Sequence, residues 1–341
     1  MAETSIEWTD RVWNFLAGCS LESPGCTHCY AMRQAARIER MNPGLAHYQG
    51  LTKPSKSGPV WTGRIGIAEH KLTEPLRVRK PAMWFVNSMS DLFHENVPDE
   101  WIDRVFAVMA LTPHHTFQVL TKRSKRMREY LANPCRSWII AREFLRMWGI
   151  LRLFPKHIIT DDNYPLMDDQ PDDHPLLRAF PLPNVWLGVS VEDQQRADER
   201  IPDLLETPAA VRWISAEPLL GPLNLMEIDY AAYVRSYRPK QDGFEAPFGL
   251  HEYDPPMKWP ALGPFDHWPS GYSSPGLDWV VVGGESGPNA RPMHPDWARS
   301  LRDQCATAGV PFFMKQMSGV RKSAMPPIPD DLVIREFPNA R

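Results

Sequence analysis

Short apolar, β-branched or aromatic runs recur along the chain, each closing on small or polar residues and most followed by a stretch with helical spacing. Seven of these predict strands: Val12 to Ala17, Met83 to Asn87, Thr116 to Leu120, Val185 to Val189, Arg212 to Ser215, Trp279 to Val282, and Pro311 to Met314. Runs as continuously hydrophobic as WVVV and VWLGV suit strands covered on both faces, as in a parallel sheet flanked by helices. Pro98 to Ala110 sets Trp101, Ile102, Val105, Phe106 and Met109 on one helical face, with Asp99 and Glu100 in the first turn where the helix dipole favours carboxylates. Asp296 to Ala308 repeats the design, with Pro295 before it and Gly309 as its stop. This alternation predicts an α/β fold, a full or partial (β/α) barrel in preference to a doubly wound sheet.

Two segments interrupt it, about 134–183 and 227–276, and are expected to be insertions in a single barrel-like domain spanning 1–341. The first joins a helix-like piece to the acidic, Pro-rich DDNYPLMDDQPDDHP, and the second is rich in Pro, Gly, Tyr and Trp. Loops of that length are commonly lids, binding elements or linkers.

Composition narrows the classes. With 341 residues, 43% of them hydrophobic, the chain can bury a large core and is not a disordered protein. Lys+Arg 38 against Asp+Glu 41 leaves a net charge of -3, so any nucleic-acid contact has to be local. No apolar run reaches the ~18 residues of a membrane span, and MAETSIEWTD has neither a basic nor an apolar signal region, so a cytoplasmic protein without membrane attachment is expected. Trp8, Trp13, Trp61, Trp84 and Trp101 read as core, and His114 and His115 as a surface turn.

Five cysteines do not make a disulfide framework: Cys19, Cys26 and Cys29 cluster, while Cys135 and Cys305 stand apart and read as ordinary side chains. The segment VWNFLAGCSLESPGCTHCYA carries C-x6-C-x2-C directly after the first predicted strand. Thiolates are soft donors for zinc or iron–sulfur clusters. Structural zinc is normally closed by four ligands. Three cysteines on a cubane leave one iron open for a small chelating ligand. His28 could complete a Cys3His zinc site, so both metals stay open on spacing alone.

The C-x6-C-x2-C-Y loop at the end of a first strand resembles the cluster loop of radical S-adenosylmethionine enzymes. The ordered set GCTHCYA, NSMSDLF, VLTKR, WLGVSVE, ISAEPLLGP and VVGGESGPNARP resembles the phage-associated three-Cys-motif family, whose function is unassigned. The resemblance implies a barrel of the radical enzyme type and a 4Fe-4S cluster on Cys19, Cys26 and Cys29. It implies S-adenosylmethionine chelated to the open iron and cleaved reductively to a 5'-deoxyadenosyl radical. It further implies an external electron donor of flavodoxin or ferredoxin type and a separately encoded companion protein. The first two cysteines are spaced by six residues where these enzymes commonly have three. Asn87, Ser88, Met89, Ser90 and Asp91 stand where many carry Gly-Gly-Glu, so Ser88, Ser90 and Asp91 are the expected acceptors for the methionine ammonium, with Asn87 beside them. His28 and Tyr30 of the loop join them as expected cofactor contacts.

Parallel strands gather their C-terminal ends on one rim, bringing Cys19, Asp91, Lys122, Glu192, Glu217 and Glu285 to a single mouth. Lys122, directly after its strand, and Glu217 are the expected catalytic groups, with Lys122 or Arg291 as the expected partner of Glu217. Lys122 and Arg123 can bind a carboxylate or phosphate, whereas Lys125, Arg126 and Arg128 equally suit a solvated helix. Ser190 and Glu192 suit a nucleoside's ribose or amine, or a helix cap. Glu285, Arg291 and Lys315 around the Gly-rich GGESGPNARP loop suit an anionic substrate, or simple turn chemistry. A nucleobase in DNA or RNA is the substrate class suggested by the phage association and the basic segment Lys122 to Arg128. Two alternatives stand beside this reading: a zinc-stabilised module binding nucleic acid or protein, and a metal-dependent hydrolase, the latter disfavoured by the lack of a His-rich ligand set.

Overall fold

The computed structural model describes residues 4, 6–151, 180–229, 258–262 and 276–338. All seven expected strands form: β1 (Arg11–Trp13), β2 (Met83–Val86), β3 (Thr116–Thr121), β4 (Val185–Ser190), β5 (Val211–Ala216), β6 (Trp279–Gly283) and β7 (Phe312–Gln316). They pair in chain order, every neighbour parallel, in one sheet with β1 and β7 at its edges. The sheet curls into an open half-barrel. Helices fill the crossovers: α1 (Tyr30–Met41), α2 (Asp99–Leu111), α3 (Ser124–Leu131), α4 (Arg136–Leu151), α5 (Gln194–Glu206) and α6 (Pro295–Ala308). Gly309 ends α6 in the left-handed region at φ 68°, the stop the sequence predicts.

The first predicted strand is cut short. Asn14 leaves the sheet to exchange hydrogen bonds with Ser88, and Leu16–Ala17 pairs antiparallel with Gly66–Ile67 in a separate ribbon. In the first expected insertion, α4 packs Ile140, Phe144 and Met147 into the main core, so this part is an integral layer and not a loop. In the second, Ile228–Asp229 pairs with Lys258–Trp259. Residues 152–179, 230–257 and 263–275 lie outside the described residues.

Alternation along the strands sorts side chains onto two faces. One face, with Trp84, Val86, Phe117, Val119, Leu187, Val189, Ile214, Val280, Val282 and Phe312, buries against the helices in the large core. No helix among the described residues packs on the other. There Trp186, Val211, Trp213, Trp279, Val281 and Phe313 form an aromatic floor, capped by Trp8 from the segment before β1. Trp8 stands edge-on to Trp213 at 5.3 Å and to Trp279 at 6.4 Å, and its carbonyl accepts from Gln118 Nε2 at 2.9 Å. Such aromatic pairs add about 0.5–1.5 kcal/mol each beyond burial. Gly188 makes room for this packing, since a Cβ there would lie 2.5 Å from the Trp213 ring.

His115 departs from expectation. It is 1% exposed, with Nε2 bonded to the Pro75 carbonyl at 3.2 Å, because the turn before β3 folds against the Pro75–Arg77 helical turn. Trp8, Trp13, Trp61 and Trp84 are buried as expected, and Trp101 packs partly buried against the core. No helix among the described residues is long and apolar enough to cross a membrane.

Candidate functional site

Following this second face along each strand toward its C-terminal end, the aromatic floor gives way to polar groups. Asn87, Lys122, Ser190, Glu192, Glu217, Glu285 and Lys315 ring one mouth, and the cysteine loop leaves β1 across it. Gly18 starts that loop by pairing with Ser90 and donating to the Met89 carbonyl at 3.0 Å. Its φ is +97° and a Cβ would sit 2.1 Å from the Arg64 carbonyl oxygen, so no other residue fits. A helical turn, Pro24–Cys26, and the start of α1 at Tyr30 then fold the chain back, putting Cys29 at the N-terminus of α1. Cys19 and Cys29 pack on a small core of Ala17, Ala31, Met32, Tyr48, Leu51, Trp61 and Met89.

Burial pushes the Cys19 thiol up to about 12, with Arg123 opposing and the neighbouring Cys26 and Cys29 reinforcing the shift. Burial likewise raises Cys29, against the pull of the first backbone N–H groups of α1 and of Lys122. Cys26 adds to the upward shift of both Cys19 and Cys29, and a bound cation would act in the opposite sense on these two thiols. No set of three or more Cys, His, Asp or Glu side chains stands in metal-binding geometry among the described residues.

The ends of four strands hold the loop in place. After β3, Arg123 Nη1 donates to Cys19 Sγ at 3.5 Å, and Nη2 donates to Ser20 Oγ at 2.6 Å and to the Ser20 carbonyl at 3.3 Å. After β4, the Glu192 carboxylate accepts from Gly25 N–H at 3.2 Å, Lys122 Nζ at 3.4 Å and Arg200 Nη1 at 3.0 Å. Complete burial pushes Glu192 up, but Lys122, Arg200, the Ser23 hydroxyl and the Gly25 N–H together hold it at about 2. After β6, Glu285 accepts from His28 Nδ1 at 3.0 Å and from Arg291 Nε at 2.9 Å and Nη2 at 2.5 Å. It too is held at about 2, burial being outweighed by Arg291 and His28. Arg291 also donates to the Pro24 carbonyl at 2.9 Å.

After β2, the Asp91 carboxylate is saturated by Phe93 N–H at 3.0 Å, Thr121 Oγ1 at 2.7 Å, Lys122 N–H at 3.0 Å and Arg123 Nη1 at 3.2 Å. Its bonds tie β2 to β3 and leave little capacity for an ammonium group. Ser88 is engaged with Asn14, and its carbonyl accepts from the Tyr30 hydroxyl at 2.7 Å. Ser190 offers its carbonyl to Arg200 Nη1 at 2.7 Å. By contrast, Ser90 Oγ and Asn87 Nδ2 are buried without a hydrogen-bond partner, directly beside the start of the cysteine loop.

Glu217 pairs with Lys315, not with Lys122 or Arg291, each of which has its own carboxylate. Gly283 of the intervening β6 permits this, since a Cβ there would approach Glu217 Cδ to 3.2 Å. Arg123 holds the cysteine loop, although Lys122 is the residue expected to act at this strand end. The signal available was its own position, second after a strand and therefore on the opposite face from Lys122.

A family model matches residues 3–335. The chain belongs to the family described as Protein of unknown function (DUF5131). All seven strands of the half-barrel and every rim residue of this DUF5131 chain lie within the match. No curated protein and no solved structure matches it.

Proposed function

We propose that the chain is an iron–sulfur enzyme of the radical S-adenosylmethionine type. Cys19, Cys26 and Cys29 would hold a 4Fe-4S cluster, and the polar mouth would hold S-adenosylmethionine. The observation carrying this reading is the pair of orphaned buried groups, Asn87 Nδ2 and Ser90 Oγ, beside a loop of three soft donors. Buried polar atoms are ordinarily satisfied, and these two are placed to donate to and accept from a polar ligand reaching the loop. A cluster held by Cys19, Cys26 and Cys29 would supply one-electron reduction of S-adenosylmethionine, the electron coming from a flavodoxin- or ferredoxin-type donor.

The chain's own share is orientation and exclusion of water. Arg123 fixes Cys19, Glu192 and Arg291 fix the Pro24–Cys26 turn, and Glu285 fixes His28. The aromatic floor shuts the opposite end of the half-barrel. Lys315 and Glu217, joined at the mouth, are placed to hold or move a proton on the substrate.

A second reading has its own support. The Glu285–His28 Nδ1 contact leaves Nε2 open, as in carboxylate–histidine–zinc arrangements, so a Cys3His zinc staple in a non-catalytic binding module competes. Anaerobic reconstitution followed by metal and sulfide analysis separates the two. The first requires about four irons per chain, lost in Cys19→Ser, Cys26→Ser and Cys29→Ser but kept in Cys135→Ser, with 5'-deoxyadenosine released from S-adenosylmethionine on reduction. One zinc in a colourless protein that takes up no iron overturns it in favour of the staple.

A further inference from the structure

Because the half-barrel is open, its two edge strands leave a seam, and a cleft of about 730 Å³ lies along it. Val12 of β1 lines one side and Lys315 of β7 the other, with Tyr30, Arg33 and Arg37 from α1 and Arg321 beyond β7. Its volume falls within the roughly 300–1,000 Å³ of ligand sites.

The charges in it are unbalanced. Glu7 is in the lining but is paired with Arg335 at 2.6 Å, and Lys315 is neutralised by Glu217. Arg33 donates to backbone, the His28 carbonyl at 3.0 Å and the Pro288 carbonyl at 3.3 Å, and no carboxylate among the described residues pairs with it. Arg37 and Arg321 are exposed and have no ion pair among the described residues. Arg40 continues the stripe, since Arg33, Arg37 and Arg40 are spaced four and three apart on one face of α1. At the inner end Tyr30 is 48% exposed, its hydroxyl anchored on the Ser88 carbonyl, which presents a fixed ring next to Cys29.

A row of uncompensated guanidiniums leading to a fixed aromatic ring is the chemistry that follows a phosphodiester chain and stacks a base. We infer that the seam cleft binds a single strand of DNA or RNA, with phosphates on Arg33, Arg37 and Arg321 and one base on Tyr30, delivering that nucleotide to the rim. A single strand is favoured over a duplex because a cleft of about 730 Å³ has room for only a few nucleotides and the net charge of -3 gives no global attraction for a duplex. As substrate delivery, this rests on the reading of the rim proposed above. As binding, it is tested without any cofactor.

The test is fluorescence anisotropy of the full chain with labelled dT15 and rU15 between 50 and 300 mM salt. Three phosphate contacts give a slope of log K against log salt of about −2, and Arg37→Gln with Arg321→Gln together reduce it by about 1.4. The double variant binds about tenfold more weakly at an unchanged melting temperature, and Tyr30→Leu weakens binding about tenfold with the salt slope kept. Binding that the arginine pair does not alter, a matching duplex held as tightly as the single strand, or polyglutamate competing as well as the oligonucleotide overturns the inference. Iron uptake without strand binding sinks this inference and spares the enzyme proposal, while strand binding without iron uptake does the reverse.

Discussion

Arg123 Nη1 lies 3.5 Å from Cys19 Sγ and 3.2 Å from Asp91 Oδ2, so one buried guanidinium joins the cysteine loop to the segment after β2 that carries the orphaned Asn87 and Ser90 groups. Arg123→Gln strands a buried carboxylate and releases the Ser20 backbone as well. A loss of about 3 kcal/mol in urea unfolding is expected, at the low end for breaking a buried pair. Arg123→Lys keeps the charge but not the fork, and should recover only part of that loss.

Glu192 gives a pH signature. Its folded value of about 2 lies below the ordinary 4.5, so its contribution is complete above pH 4.5 and is lost as the pH falls toward 2. That depression corresponds to about 3 kcal/mol. Unfolding curves of the natural protein and Glu192→Gln should therefore be separated by that amount at pH 6 and converge near pH 2. A gap independent of pH across this window contradicts the ion-pair account.

Two glycines separate conformational strain from steric exclusion. Gly18 and Gly58 both have positive φ, +97° and +116°, but a Cβ at Gly58 meets nothing within 4 Å. Gly58→Ala should cost about 1 kcal/mol. Gly18→Ala, which also drives a methyl into the Arg64 carbonyl, should cost about 3 kcal/mol or more, as a melting-temperature comparison will register.

Glu285 links His28 to Arg291, and Arg291 reaches Pro24. In Glu285→Gln, amide hydrogen exchange should quicken across residues 20–29, while the strands of the sheet keep their protection. Exchange unchanged in that segment would mean the loop holds its position without this tie.

The sheet was readable because its signal is local. Seven apolar runs, each ended by polar residues, mark strands β1 to β7 to within a few residues, and parallel strands put their ends on one rim whatever the details. The pairing of charges on that rim was not readable. Glu217 meets Lys315 because a glycine lies between them on β6, and nothing in SAEPLLGP announces what its neighbouring strands will carry. Helix α1 was missed because its mean polarity and three arginines hide a short buried stripe of Ala31, Met32 and Ala35. His115 looked like a turn residue because the Pro75 carbonyl that binds it is 40 positions away.

Trp8 precedes the first strand, yet it meets Phe85, Trp213 and Trp279 from three different strands. It works as a stopper pressed into the underside of the half-barrel. Pulled out, it would open the aromatic floor to solvent and wet the lone Gln118 oxygen that it now keeps dry.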